Sequence, residues 1–560
     1  MEKIWLKSYP GHVPETIESP EYTSVCDFFT RMCRLFNTLP AYSNFGHSIS
    51  YSELDELSTA FAAYLQNTLA LKKGDRVALM MPNVLQYPVA LFGVLRAGLI
   101  AVNVNPLYTP RELAHQLKDS GACAIVIVEN FAHTLEQVLP EVPVQHVITT
   151  RLGDMLPRPR GWLLDLAARY IKRMVPDWRI DHALPLRRVL AEGKPLKLER
   201  VDMQLDDLAF LQYTGGTTGI AKGAMLTHGN MLANLAQIKA WLGDTIKPGE
   251  ELVITPLPLY HIFSLTANCL VFIALGTHNV LITNPRDLRG FIKTLRTYPS
   301  FSILTGVNTL YNGLLNTPGF AQLDFSHLKL AIAGGMAVQK TVAERWQQTT
   351  GIPLLEGYGL TETSPVVCVN RVDLEHFTAS IGLPLPSTEV CFRDEQGQEQ
   401  PQGEPGELWV RGPQVMRGYW CRPEDTANSI DSEGWFATGD IGYMDDEGYV
   451  RIIDRKKDMI LVSGFNVYPN EVEEVLASHP QVLEAAVIGV PSEQSGEAVK
   501  AFIVPRDEAP TEQALRDHCR QHLTAYKVPR AFEFRSELPK SNVGKILRRS
   551  LRDTETSDHH

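Results

Sequence analysis

A chain of 560 residues implies three or four folding units at roughly 150 residues each. Hydrophobic residues make up 44% and charged residues 21%, which excludes disorder, collagen and coiled coil for the bulk of the chain. The net charge of −11, from 53 basic against 64 acidic residues, gives no global signal for nucleic acid but leaves room for a local cationic site facing a polyanion.

The N-terminus, MEKIWLKSYPGHVPETIE, lacks the apolar core of a signal peptide. Residues 51–69 open with YSELDEL, a polar helix start, and 75–81 (DRVALMM) read as a buried strand. Residues 88–97 read as helix, 98–104 (GLIAVNV) as strand, 110–120 as helix and 122–128 (ACAIVIV) as strand. This βαβαβ rhythm with continuous apolar strands predicts a parallel sheet covered on both faces. Residues 252–255, 280–283, 302–305 and 328–332 extend the pattern into a second α/β layer. After Ile381 the strands shorten between turn signals such as DEQG and DDEG, which predicts a small antiparallel barrel or meander. A charged segment, RIIDRKKDMI, then leads into about 100 residues of mixed helix and strand, and the boundary falls near Asp454.

The eight cysteines, Cys26, Cys33, Cys123, Cys269, Cys368, Cys391, Cys421 and Cys519, form no CxxC pair, so neither a zinc site nor a disulfide scaffold is expected. The longest apolar stretch, 262–275, contains Ser264, Thr266 and Asn268 and falls short of the about 20 residues a membrane span needs. The expectation is a soluble protein of a reducing compartment, with membrane contact peripheral at most.

Four segments carry chemistry. YTGGTTGIAKG (213–223) follows LAFLQY, a buried-strand pattern, so the loop leaves a sheet edge where ligands sit in α/β folds. Its glycines let backbone N–H groups approach phosphate oxygens, and its hydroxyls add donors or bind a metal. It is neither a Walker A loop nor GxGxxG. Read alone it is equally a flexible surface loop. In GYGLTE (357–362), Tyr358 can stack on a purine, Thr361 can bond a phosphate and Glu362 can hold Mg²⁺, although a tyrosine between glycines is more often just a turn. TGD (438–440) offers an aspartate for sugar hydroxyls, with a cap or turn as the commoner role. PKSNVGKILRR (539–549) sets Lys545 behind a glycine turn, or is simply a solvated basic tail.

In this order and spacing the segments resemble the acyl-adenylate-forming superfamily, which holds acyl-CoA synthetases, luciferases and peptide-synthetase adenylation domains. YTGGTTGIAKG matches its phosphate loop, GYGLTE its adenine and magnesium motif, TGD its ribose motif, RIIDRKKDMILVSGFNVYP its hinge and NVGKILRR its catalytic-lysine motif. The segments WLKSYP, MMPNVLQYPVALFGVLRAG, VNVNPLYTPRELAHQL, LPLYHIF and TGVNTL are most similar to its bacterial long-chain fatty-acid–CoA ligases, which feed β-oxidation.

The resemblance implies an α/β fold. Residues 1–454 would form a large AMP-binding domain of two parallel α/β subdomains plus a small β-barrel-like one. Residues 455–560 would form a small mobile α+β domain. It implies ATP, Mg²⁺ and coenzyme A as ligands and a fatty acid as substrate, with no nucleic acid. A cytoplasmic location, peripheral contact with the inner membrane and a homodimer are all compatible with it. It makes Tyr213, Thr214, Gly215, Gly216, Thr217, Thr218, Gly219, Ile220, Ala221, Lys222 and Gly223 a cofactor-binding loop, in which 214–219 and Lys222 hold the β- and γ-phosphates, with Thr214 and Glu362 on the metal. Gly335, Gly357, Tyr358 and Gly359 would line the adenine. Asp440 and Arg455 would hold the ribose. Thr361 would assist at the phosphates, and Lys545 would neutralise charge on the α-phosphate. Lys457 would lie in a hinge at 454–457, with Ser463, Gly464 and Phe465 lining the pantetheine channel of a rotated state.

The acyl pocket would lie behind Tyr260–His261, where His261 orients the acid, gates the pocket or is a satisfied core histidine. Each buried CH₂ contributes about 0.8 kcal/mol, so a deep tunnel favours long acids. Acetyl-CoA synthetases carry a tryptophan near GYGLTE, absent here, and amino-acid adenylating domains an aspartate where Ser264, Leu265 and Thr266 stand. A luciferase is the runner-up, and a non-catalytic homologue stands third. The basic residues Lys540, Lys545, Arg548, Arg549 and Arg552 offer a weaker reading as a membrane-binding tail.

Overall fold

The computed structural model describes residues 2–18, 21–215, 221–492, 495–541 and 544–557. Among these residues the strands form four sheets.

The first sheet runs in the order Leu184–Pro185, His146–Thr150, Ala124–Val128, Arg76–Met80, Ile100–Asn103, Leu208–Gly215, Ala221–Thr227, parallel except for the last pair. Its central strands are buried along their length because helices cover both faces, which explains runs such as AIVIV. Helix boundaries follow local chemistry. The helix Tyr51–Asn67 begins with a reciprocal Ser50–Glu53 capping box. Pro110–Ser120 has a Thr109–Glu112 box with proline in its first turn, and ends at Gly121 in the left-handed region.

The second sheet holds Leu383–Pro384, Val366–Val369, Leu354–Gly359, Leu330–Gly334, Ile303–Gly306, Leu252–Thr255, His278–Leu281, Pro40–Asn44 and His47–Ser50 in that order. Its middle is parallel and its two edges are antiparallel. A continuous apolar core joins the first two sheets; within it Phe29 stacks on Phe92 with centroids 3.7 Å apart. The long apolar stretch forms helical turns over Ile262–Ser264, Leu265–Val271 and Phe272–Ala274, buried except for the half-buried Phe263. Its polar side chains are satisfied inside: Ser264 donates to the Leu257 carbonyl, Thr266 to the Ser364 carbonyl and Asn268 to Thr255.

The region after Ile381 takes the meander form, with Glu389–Arg393, Gly406–Arg411, Phe436–Met444 and Val450–Arg455 paired antiparallel in sequence order. The fourth sheet belongs to the C-terminal segment and has its own apolar core. Its long hairpin, Val482–Ser492 with Gly496–Pro505, is joined by Ala531–Phe534, which pairs in parallel.

One buried guanidinium organises that last segment. Arg548 meets Glu473 at 2.7 Å, Asp454 at 3.2 Å and Asp458 at 3.4 Å, and Arg552 meets Asp458 at 2.8 Å. Burial pushes the Glu473 and Asp454 carboxyls up, and Arg548 opposes that in both. Lys540 pairs with Glu484 at 2.6 Å. The basic tail is therefore largely folded into the domain rather than offered to an anionic surface. Removing the shared cation leaves buried carboxylates uncompensated, a loss of about 3–5 kcal/mol. Arg548→Met should lower the stability of the C-terminal segment by that order in urea unfolding, with wild-type stability as the contrary outcome.

Candidate active site

The named residues converge where strands of the two parallel sheets end, the usual ligand crevice of such sheets. Side-chain hydrogen bonds stitch those ends together. Tyr87 donates to Asn103 at 2.7 Å or to the Leu259 carbonyl at 2.9 Å, Asn103 donates to Gln212 at 3.0 Å, and Gln212 donates to the Tyr260 carbonyl at 2.7 Å.

The phosphate loop is reached by two paired strands, with Tyr213 opposite Gly223, Thr214 opposite Lys222 and Gly215 opposite Ala221. Gly216, Thr217, Thr218, Gly219 and Ile220 lie outside the described residues. The Tyr213 hydroxyl donates to Asp119 at 2.7 Å, and Asp119 also takes Arg422. Tyr213 thus anchors the base of the loop.

Lys222 bonds Asp425 at 2.5 Å and lies 5.5 Å from the Tyr419 ring centroid. The Tyr419 hydroxyl donates to Glu362 Oε1 at 2.8 Å. Tyr419 therefore stands between the loop lysine and the proposed metal carboxylate. Glu362 is buried, which pushes its carboxyl up, and the Tyr419 bond and the Arg455 charge oppose that. The backbone of 416–420 joins the two sides: Met416 N–H donates to the Glu362 carbonyl and Trp420 N–H to the Gly223 carbonyl. Thr361 and Glu362 lie in a short helical turn, Thr361–Thr363, directly after the strand Leu354–Gly359. A Cβ at Gly359 would stand 2.0 Å from the Pro365 carbonyl oxygen, so only glycine permits this turn back.

TGD is not a turn between strands. It lies inside the strand Phe436–Met444, where Gly439 at φ +74° accompanies a shift of register against Gly406–Arg411. This bulge re-aims Asp440, which accepts from the Tyr358 hydroxyl at 2.5 Å and meets Arg455 at 3.3 Å. Asp440 and Arg455 also sit opposite one another in the strand ladder. Tyr358 is thus tied to Asp440. Gly335, at φ +79°, follows the neighbouring strand, whose Gly334 pairs with Gly357.

Lys545 reaches this group from the C-terminal segment. Its turn is held by Ser541 N–H to the Lys545 carbonyl at 2.7 Å and Lys545 N–H to Ser541 Oγ at 3.1 Å. The turn seats on the large domain through Thr309 Oγ1, which donates to the Gly544 carbonyl at 2.9 Å. Burial and the Arg455 charge push Lys545 down to about 7, with Asp440 opposing. His261, half-buried, is pushed down to about 4 by burial and by the Lys545 charge, so it is neutral at pH 7. The His261 ring caps the turn Ile262–Ser264 by accepting from Phe263 N–H at 3.4 Å. It therefore has both a structural bond and a place beside the lysine.

Ser463, Gly464 and Phe465 are not in this cleft. Ser463 and Gly464 form the tip of an exposed hairpin, both at positive φ, and Phe465 stacks on Tyr526 with centroids 4.9 Å apart. Lys457 is exposed in the turn Lys456–Asp458, and burial with the Arg455 charge lowers its pKa. Asp454 spans both parts: its backbone pairs with Ile441, and its carboxylate accepts Asn470 N–H at 2.8 Å and Arg548 at 3.2 Å. Tyr419, Asp425, Asp119 and Thr309 were not legible as site residues, because no local motif marks them, and Arg548, inside the lysine motif, read only as part of a basic tail.

The AMP-binding enzyme profile matches residues 29–420, and that of the AMP-binding enzyme C-terminal domain matches residues 471–545. The chain belongs to the AMP-binding enzyme family. It is 60% identical to the long-chain-fatty-acid–CoA ligase of Yersinia pestis over 555 residues, covering 99% of this chain and 98% of that one. It is similar to ATP-bound MatB of Rhodopseudomonas palustris, with TM-score 0.82 at 28% identity over 96% of this chain and all of that one. Against apo MatB the same coverage and identity give a TM-score of 0.71.

Only the ammonium form of Lys545 adds charge to the cleft, so deprotonation above about 7 removes it. Because kcat/KM reports the free enzyme, kcat/KM for ATP in adenylation should fall roughly tenfold per pH unit above that point. Lys545→Arg, which never loses its proton, should flatten that limb; an unchanged limb would assign it to another group.

Proposed function

We propose that the chain joins a long-chain fatty acid to coenzyme A at the expense of ATP, through an acyl-adenylate. The full-length 60% identity to a long-chain-fatty-acid–CoA ligase carries the substrate assignment. In the first step a carboxylate oxygen bonds to the α-phosphorus and the bond to the β-phosphate oxygen breaks, releasing pyrophosphate. In the second the CoA sulfur bonds to the acyl carbon, the carbon–oxygen bond to AMP breaks, and the thiol proton passes to solvent. Splitting the reaction replaces one hard displacement with two easier ones.

Lys545 stabilises charge on the α-phosphate, and Asp440 with Arg455 orients the ribose. Lys222 and the loop at 214–223 hold the outer phosphates, with Gly335, Gly357, Tyr358 and Gly359 along the base. Thr361 adds a phosphate donor, and His261, neutral, faces the acid. The donor set fits Mg²⁺: Glu362 supplies one oriented carboxylate, Thr214 a hydroxyl, and nucleotide phosphates would complete a mostly oxygen shell. When bound, the ion offsets the negative charge of the triphosphate.

The working units are residues 1–454 and 455–560, with the pivot at 454–457. The placement of Lys545 and the higher similarity to ATP-bound than to apo MatB support reading this structure as the adenylating arrangement. Rotation would withdraw Lys545 and bring Ser463, Gly464 and Phe465 to the CoA path. The enzyme would work in the cytoplasm, in peripheral contact with the membrane where its apolar substrate partitions.

Pyrophosphate release measured across saturated acids from C2 to C18, with and without CoA, tests the reading; it requires AMP as product and a preference for long acids, and ADP formation would overturn it. In that assay Lys545→Ala should slow adenylation at least ~100-fold while pre-made acyl-adenylate still reacts with CoA. Lys457→Pro should impair the two half-reactions unequally, and equal loss would count against the pivot.

A further inference from the structure

The exposed large apolar side chains of the described residues are unevenly spread. Six of the fourteen, Trp162, Leu163, Leu166, Tyr170, Ile171 and Met174, fall between residues 162 and 174. Trp162 is 61% exposed, Tyr170 68% and Ile171 74%. All but Met174, which follows its end, lie on a helix that starts as Arg160–Leu166 and widens into a π-helix over Ala167–Ile171. The i→i+5 bonding of a π turn rotates the chain less per residue, which keeps Tyr170 and Ile171 on the side of Trp162 and Leu163.

The opposite side is fixed to the body. Gly161 and Ala168 are buried, Asp165 accepts from Gly153 N–H at 2.7 Å, and Arg169 meets Glu129 at 3.1 Å. A Cβ at Gly161 would stand 2.2 Å from the Gly153 carbonyl oxygen, so the helix is pressed flat and cannot turn its apolar side inward. A contiguous exposed patch of this kind marks an interaction surface.

Charge selects the partner. Arg158, Arg160, Lys172 and Arg173 are exposed around the patch, and among the described residues none is in an ion pair with a carboxylate. This cationic rim stands on a chain of net charge −11. Two copies meeting through the patch would bring like charges together. An anionic bilayer instead receives apolar side chains below its headgroups and basic ones among them.

We propose that the helical segment 160–174 seats on an anionic lipid surface. The inference rests on the fatty-acid reading and locates the membrane contact within it. It also fits the topology. One turn of chain links this region to the acid site: Asn83 donates to the Leu257 carbonyl, Tyr87 to the Leu259 carbonyl, and Gln86 to the Arg151 carbonyl at 2.6 Å, just before the helix. These bonds connect the chain that leads into this helix with the segment that leads to His261.

Co-sedimentation with phosphatidylglycerol vesicles and with phosphatidylcholine vesicles, at low and high salt, tests it. The full-length protein should pellet with the anionic vesicles and be released by salt. Combined Trp162→Ser, Tyr170→Ser and Ile171→Ser should cut the bound fraction about tenfold or more, and Lys172→Gln with Arg173→Gln should reduce its salt dependence. Both variants should ligate octanoate at the wild-type rate in vesicle-free buffer, which reports the ligase reading separately. Absence of vesicle binding by the wild type, equal binding by the serine variant, or self-association through the patch without vesicle binding would each overturn the proposal.

Discussion

The arrangement depends on holding a cluster of positive charge in a partly desolvated cleft. Arg455 lowers the proton affinity of both Lys545 and Lys457, Lys457 lowers that of Lys545, and Asp440 opposes these charges in both, joined at Lys457 by Asp458. Like charges so placed cost free energy until a polyanion arrives. The nucleotide's phosphates supply the missing charge, so the same side chains that strain the cleft select its ligand.

Among the described residues, polar contacts help seat the C-terminal segment: beyond Thr309 with Gly544, Asn312 donates to the Leu483 carbonyl at 3.3 Å, Arg506 to Asn316 at 2.8 Å and Lys456 to Glu407 at 3.1 Å. Within the segment an apolar core and the Arg548 cluster make a firm body. A firm body seated through polar contacts suits the proposed change of position between two chemical steps.

Much of this was legible in the residues. The parallel sheets followed from continuous apolar runs, and the start of the helix Tyr51–Asn67 from YSELDEL. The motifs located Glu362, Asp440 and Lys545 because phosphate and sugar recognition need particular side chains at fixed backbone positions. What was not legible lies in pairs far apart in sequence. Tyr419 reaches Glu362 across 57 residues, Asp425 reaches Lys222 across 203, and Tyr213 is claimed by Asp119 across 94. TGD read as a turn because a glycine before an aspartate signals one locally, whereas the ladder on either side makes it a bulge. RIIDRKKDMI reads locally as no more than a charged segment, yet Asp454 and Asp458 are buried and meet an arginine 94 and 90 positions away.

Asp454 answers to both partners at once, its backbone laced into one domain and its carboxylate into the other. A swivel built on such a residue would have detents. Halfway orientations would forfeit the ladder or strand the carboxylate, so the proposed cap would dwell at its end stops and cross between them quickly. An activated acyl group would then spend little time facing bulk water, and hydrolytic leakage would be set by the lifetime of the stops.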